Sequence, residues 1–295
     1  ATARCDGTTA HRETCVMGKG WAMAALGGIG LYMAVCRALR YRRRERHRMM
    51  CEKGRVQEVF QENAQLEFPF LWYESQEFGL FRTYAIPSIS SLLAKTRKFE
   101  ENTNKRYDDT VFILAEVTEK GLDSSRGELA LRRLNAIHGQ YGSQISNGDL
   151  LYTLSVFVVE PVRWVDRFEW RQCLQCEREA TALWWGDVGV MMGIEGVPGD
   201  YAGFERVHDE YEERHMAYSP SNVAIGEYTF GLLLSPFPSL LHPFIKRCAH
   251  CLMDPRLRAA MRYPDPPPLL SAAVHAVLRI RARFIRHLLP PRPAS

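Results

Sequence analysis

The chain has 295 residues, 46% of them hydrophobic, and a formal net charge of +4. That length and apolar content suffice for one large domain with a sizeable core, and a charge this mild gives no argument for a nucleic-acid partner. The eight cysteines are scattered or spaced C-x-x-C, which excludes the disulfide framework of a small secreted protein.

In chain order, a polar N-terminal tail (1–20) comes first. It begins at Ala1 without methionine, as expected of a processed or trimmed chain. "WAMAALGGIGLYMAVC", Trp21 to Cys36, is an uncharged run of 16 residues. With Arg37 snorkelling it extends to Tyr41 and approaches the roughly 20 residues of a transmembrane helix (21–41). Gly27, Gly28 and Gly30 with Ala24, Ala25 and Ala34 form a small-residue face suited to close packing of another membrane helix. Seven arginines follow between Arg37 and Arg48. Charges after the apolar run argue against a signal peptide. They predict a basic juxtamembrane segment (42–54) facing anionic lipid, with the large domain on that same side.

From 55 to 262 the periodicity is near 3.6 residues and no stretch alternates every second residue, so the fold class expected is all-α, a large helical bundle. "DDTVFILAEVTEKG" has a helix start at Asp108 or Asp109 and a stop at Gly121. "SSRGELALRRLNAIHGQYG" starts at Ser124 or Ser125, with Glu128 placed for a capping box, and ends by Gly139 or Gly142. "SNGDLLYTLSVFVVEP" is capped by Ser146 and is apolar nearly all round, as expected of a central helix, with Pro161 just past its end. "VDRFEWRQCLQCEREATALWWGDVGV" reads as one long amphipathic helix. "YPDPPP" (263–268) is a hard break before a last basic helix, and 263–295 is set apart for that reason. That helix, with Arg279, Arg281, Arg283 and Arg286, has the pattern of one lying on anionic lipid or docking on a partner, or simply packed.

Three groups carry candidate chemistry. His138 shares a helical face with Leu131, Leu134, Asn135 and Tyr141, half apolar and half hydrogen-bonding. It reads either as a ligand or as a core histidine with a partner, and Arg133, about 140° around the helix, points elsewhere. His208, Tyr211 and His215 share a second face among Asp209, Glu210, Glu212 and Glu213, a solvated acidic face that also offers two imidazoles to a metal or haem. Cys173/Cys176 and Cys248/Cys251 have zinc-like spacing. However, "CLQC" lies mid-helix rather than on a knuckle, so no zinc is expected.

"FRTYAIPSISSLL" (81–93), "RRLNAIHGQY" (132–141), "ISNGDLLYTLSVF" (145–157), "EPVRWVDRFEWR" (160–171) and "YSPSN" (218–222) resemble, in that order, the family of the fungal mycophenolic-acid oxygenase and the bacterial rubber oxygenase (latex-clearing protein), in its eukaryotic membrane-anchored branch. The resemblance implies an all-α bundle, oxidative cleavage of an isoprenoid carbon–carbon double bond and, in the rubber-cleaving branch, haem b. It implies a site of Arg133, Asn135, His138, Asp149 and Tyr152, with Asn147, Trp170 and Arg171 in matching motifs. Rubber-branch relatives carry an axial histidine in the next helix, whereas this chain has no histidine from 139 to 207. Haem would therefore hang from His138, come from His208 or His215, or be absent. Two functions follow. One is a membrane-anchored haem oxygenase of a prenyl or lipid-like substrate, with His138 as ligand or acid/base group and Arg133 and Asp149 orienting it. The other is an inactive accessory subunit of a membrane complex, such as a mitochondrial respiratory-chain or ATP synthase assembly. The expected partners are membrane lipids and other membrane-protein subunits, in the mitochondrial inner membrane or the endoplasmic reticulum.

Overall fold

The computed structural model describes the backbone of residues 8–293 and the side chains of residues 23–293. The tail, with Cys5 and Cys15, and the first side chains of the apolar run lie outside those described. Among the described residues there are thirteen α-helices and no strand, as the 3.6-residue period requires.

The apolar run and the arginine collar form one uninterrupted helix, α1 (Thr8–Glu52). From Met23 it is long and apolar enough to cross a membrane by length and composition, and Leu26, Ile29 and Leu31 stand exposed on it. The arginine collar has two sides. Arg37, Arg42, Arg44 and Arg48 face outward, but Arg40, Arg43 and His47 are buried on a face of i, i+3, i+7 spacing. Arg40 donates to the carbonyls of Leu289 (2.8 Å) and Pro290 (3.3 Å), and Arg43 to that of Arg292. His47 Nδ1 lies 2.8 Å from Glu177 and Nε2 2.9 Å from Glu62. Charges spaced by the helical repeat meet the carboxylates of Glu62 and Glu177 and the carbonyls of Leu289, Pro290 and Arg292, so this part of α1 docks on the domain.

The domain continues with α2 (Val56–Glu62), a π-turn over 63–67, α3 (Pro69–Thr83), α4 (Pro87–Lys95), α5 (Lys98–Lys120), α6 (Ser125–Gly139), α7 (Asn147–Phe168) and α8 (Gln175–Met191). Then come α9 (Tyr201–His215), α10 (Pro220–Leu234), α11 (His242–His250), α12 (Pro255–Ala260) and α13 (Pro268–Leu288). Helix α7 is the central one, packed by α3, α8 and α9. It starts where expected, with Ser146 Oγ accepting from the Asp149 N–H at 3.0 Å. It does not stop at Pro161. An internal proline costs roughly 3 kcal/mol, but Val162, Val165 and Phe168 beyond it are all buried. At roughly 1.5–3 kcal/mol for each such side chain, burial outweighs the kink.

The expected long helix from Val165 is in fact two. Glu169 turns extended at the end of α7, and α8 begins only at Gln175, its first turn closed by the Leu174 N–H donating to Glu177 (2.7 Å). Arg171 lies in this break because its guanidinium reaches Glu67 (3.1 Å) and Glu177 (2.7 Å). Cys173 therefore sits in a turn rather than mid-helix, and Cys176 in the first turn of α8 contacts Cys51 of α1. Helix α5 starts ten residues before Asp108, with a non-helical step at Asn102, because its polar first half carries little apolar period. Helix α6 is capped by Ser124 as expected, though Glu128 pairs with Arg132 (3.0 Å) instead of closing a capping box. Pro268 opens α13, so "YPDPPP" is the break it reads as.

Candidate active site

Between α3, α4, α5, α6 and α7, with α10, α11 and α13 closing it, lies a cavity of about 670 Å³. This is within the usual range for small-molecule and cofactor sites. Leu114, Ile137, Leu150, Leu154, Phe157 and Trp185 make its apolar walls. It opens between α6 and the start of α7.

His138, in the last turn of α6, lines this cavity. Its Nδ1 is buried and has no hydrogen-bond partner. Burial, and then the charge of Arg106, push its pKa below the ordinary value, so the ring is neutral at pH 7 with a lone pair free. A buried, unpartnered polar atom is uncommon and costs about 1–3 kcal/mol. Arg133 was expected to point elsewhere, yet it lines the cavity as well. Arg106 of α5 is half-buried in the same wall. Its guanidinium donates to Thr110, and among the described residues no carboxylate lies within ion-pair distance of it.

Asp149 also lines the cavity, but its carboxylate is fully engaged. It accepts from Ser88 (2.7 Å), Tyr211 (2.9 Å) and Ser146 (2.8 Å), tying the first turn of α7 to α4 and α9. Tyr152 is not on the cavity. It is completely buried on the far side of α7, donating to Glu212 (2.9 Å) and stacked on Tyr211. Asn135 faces α8, where it donates to the Met191 carbonyl (3.0 Å), and Asn147 clamps Glu195 through its backbone N–H (2.8 Å) and C=O (3.0 Å). Neither alternative imidazole reaches the cavity. His215 packs at a tilt against Tyr211 at the surface, ring centres 4.2 Å apart. His208 is fully buried, so the solvated acidic face expected there is only half solvated.

His208 belongs to a buried charge cluster without an obvious local signal in the sequence. Its Nε2 lies 3.5 Å from Glu160 and 3.4 Å from Glu212. Arg82 of α3 pairs with Glu212 through two bonds, with Asp254 (2.5 Å) and, more distantly, with Glu160 (3.8 Å). Burial raises the Glu160 carboxyl, but Arg82 and then His208 more than offset this and hold it at about 2. Burial disfavours the charged form of His208, but Asp209 and Glu160 outweigh that and raise its pKa. The clue in the sequence was Glu160 itself, the one acid between Leu150 and Val165 in the apolar body of α7.

Haem fits the cavity's donor set. Among the described residues no group of three or more His, Cys, Asp and Glu could hold a metal ion. His138 is the one imidazole in the cavity lining, a single donor of the kind that a haem iron, already held by its own macrocycle, would take. The apolar walls suit the ring, and Arg106 and Arg133 suit its carboxylates.

The fold and site define a class: an all-α bundle around a largely apolar cavity, with one neutral, unpaired imidazole and two arginines in its wall. Residues 71–287 match the family described as ER-bound oxygenase mpaB/B'/rubber oxygenase, catalytic domain, and this chain belongs to that family. It is similar to the ER-bound oxygenase mpaB' of Penicillium brevicompactum, 38% identical over 253 residues, which is 80% of this chain and 60% of that protein. The ER-bound oxygenase mpaB of Penicillium roqueforti (strain FM164) is 35% identical over 83% of this chain and 91% of its own length. That of Penicillium brevicompactum is 33% identical over 93% and 71%. The chain thus spans 60% of the length of the first of these relatives.

Proposed function

We propose that this chain is a membrane-anchored, haem-dependent oxygenase that cleaves a carbon–carbon double bond in a prenyl or other lipid-like chain, held at the endoplasmic reticulum by α1. One observation carries the reading: the buried, unpartnered Nδ1 of His138 in the wall of the 670 Å³ cavity. The ER-bound names of the relatives and the span-length α1 support the anchor and its membrane. A mitochondrial location and an accessory-subunit role draw no support from those relatives.

Haem, when bound, would supply the binding and activation of dioxygen. His138 would hold its iron, kept neutral by burial and Arg106 so that a nitrogen lone pair is available. Arg106 and Arg133 would take its carboxylates by charge-assisted hydrogen bonds. Leu154 and Phe157 exclude water from the space beside it and hold an apolar chain there by contact. Asp149 is a positioning residue: its three hydroxyl donors fix the first turn of α7, and with it the cavity wall, against α4 and α9.

Haem reconstitution of the full chain in detergent should give a Soret band, and His138→Ala should lose that band and turnover while its circular dichroism stays that of the wild type. No band in the wild type, or a band and turnover kept by the variant, would overturn the assignment.

A further inference from the structure

Helix α13 presents two different faces. Inward, Leu278, Ala282 and Ile285 pack on the domain, and Leu278 is part of the cavity wall. Outward, Val277 (65% exposed), Ile280 (62%), Phe284 (49%) and Leu288 (36%) form a stripe at i+3 and i+4 spacing, with Leu269 (83%) two turns before it. Arg279 and Arg283 flank the stripe, also exposed, and no carboxylate pairs with either among the described residues. A continuous apolar stripe of this kind on a domain surface marks a contact that the isolated chain does not make.

The position of α13 says what covers it. Tyr32, inside the apolar run of α1, donates to the Leu288 carbonyl at 3.0 Å, so the end of α13 is pinned beside the span. At 1.5 Å per residue, Tyr32 lies about 7.5 Å inside the first charge, Arg37. That is close to the 5–10 Å by which an in-plane amphipathic helix sinks into the boundary of headgroups and acyl chains. Arg286 donates to Tyr41 (3.1 Å) and Arg40 to Leu289, which hold the helix in that place.

We infer that α13 lies in the plane of the membrane that α1 crosses, its apolar stripe among acyl chains and Arg279 and Arg283 at anionic lipid headgroups. The inference rests on the anchor reading of α1 and is independent of the chemistry. One wall of the cavity is then a membrane-embedded helix. Phe70, exposed at the cavity rim beneath Arg281 of the same helix (4.7 Å from guanidinium carbon to ring centre), lies at the lipid boundary, so an apolar ligand enters from the bilayer rather than from water.

The test places a benzophenone amino acid at Ile280, at Phe284 and, as a control, at exposed Leu129 of α6, in the full chain reconstituted into phosphatidylcholine–phosphatidylserine vesicles. All three positions are exposed, so the probe disturbs no packing. Flotation with the vesicles checks the anchor separately, and no turnover is involved. Illumination should give phospholipid adducts at 280 and 284 in a yield several times that at 129. Replacing Arg279 and Arg283 by Glu should lower that yield in these vesicles but not in pure phosphatidylcholine. Adducts to a second copy of the chain, no lipid adducts at 280 and 284, or an equal yield at 129 would each overturn the inference.

Discussion

Replacing Arg82 by Met removes the only guanidinium within the buried cluster of Glu160, Glu212 and Asp254 while keeping the length of the side chain. Glu160 and Glu212 are 5% and 2% exposed, so water cannot take over Arg82's role. Holding the Glu160 carboxyl at about 2 against an ordinary 4.5 is worth about 3.5 kcal/mol at about 1.4 kcal/mol per pH unit, with Arg82 the largest of the charges that hold it there, ahead of His208 and Arg163. This agrees with the roughly 3–5 kcal/mol lost when one partner of a buried ion pair is deleted. In a domain of this size such a loss lowers the melting temperature on the order of 10 °C. The pH dependence gives a second measure. A depressed carboxyl stabilises the fold above its unfolded value of 4.5, and that contribution fades as pH falls toward 2. The gap between wild type and variant should therefore be full at pH 7 and narrow steadily below pH 4.5. Thermal unfolding in detergent, followed by circular dichroism at pH 7 and at pH 3, reads both. A variant that melts within about 2 °C of wild type at pH 7, or a gap that does not change with pH, would refute the reasoning.

Gly79→Ala should destabilise although alanine favours helix, because its Cβ would sit 2.6 Å from Val156 Cγ1 in the α3–α7 contact. About 1–3 kcal/mol of overpacking, read by urea unfolding, should exceed the propensity gain of about 1 kcal/mol. Asn222→Ala leaves the carbonyls of Ala85, Ala217 and Ala260 without their shared donor and should cost on the order of 1–3 kcal/mol in the same assay. Wild-type stability would show that water replaces the amide. Glu177→Gln breaks the joint in which one carboxylate serves both His47 and Arg171. Trypsin should then cut the Lys53–Arg55 turn faster, and an unchanged digestion rate would count against this joint.

The starts of α6 and α7 were legible because Ser124 and Ser146 act through neighbours three residues away, and the break before α13 because its prolines are local. His138's ambiguous face was legible too, since half of its helical neighbours are apolar. Pro161 and the 169–174 break were not, because both are decided by distant partners: buried side chains beyond the proline, and Glu67 and Glu177 drawing Arg171 out of helical conformation. The same holds for Arg82, whose carboxylates lie as far as 172 residues along the chain. Tyr152 sits in the helix expected but turns away from the cavity, since rotation about a helix axis is set by packing that an all-round apolar pattern leaves open.

The unbroken run of α1 from span to domain, clamped at His47, makes the anchor a post instead of a tether. A flexible linker of ten residues would let the domain wander over about 17 Å; a docked helix permits almost none of that. For the lipid-like ligand proposed above, the search would become two-dimensional, with the protein's orientation already settled at every encounter. Any torque on α1, from a neighbouring helix on its glycine face or from a change in bilayer thickness, would reach the domain undamped.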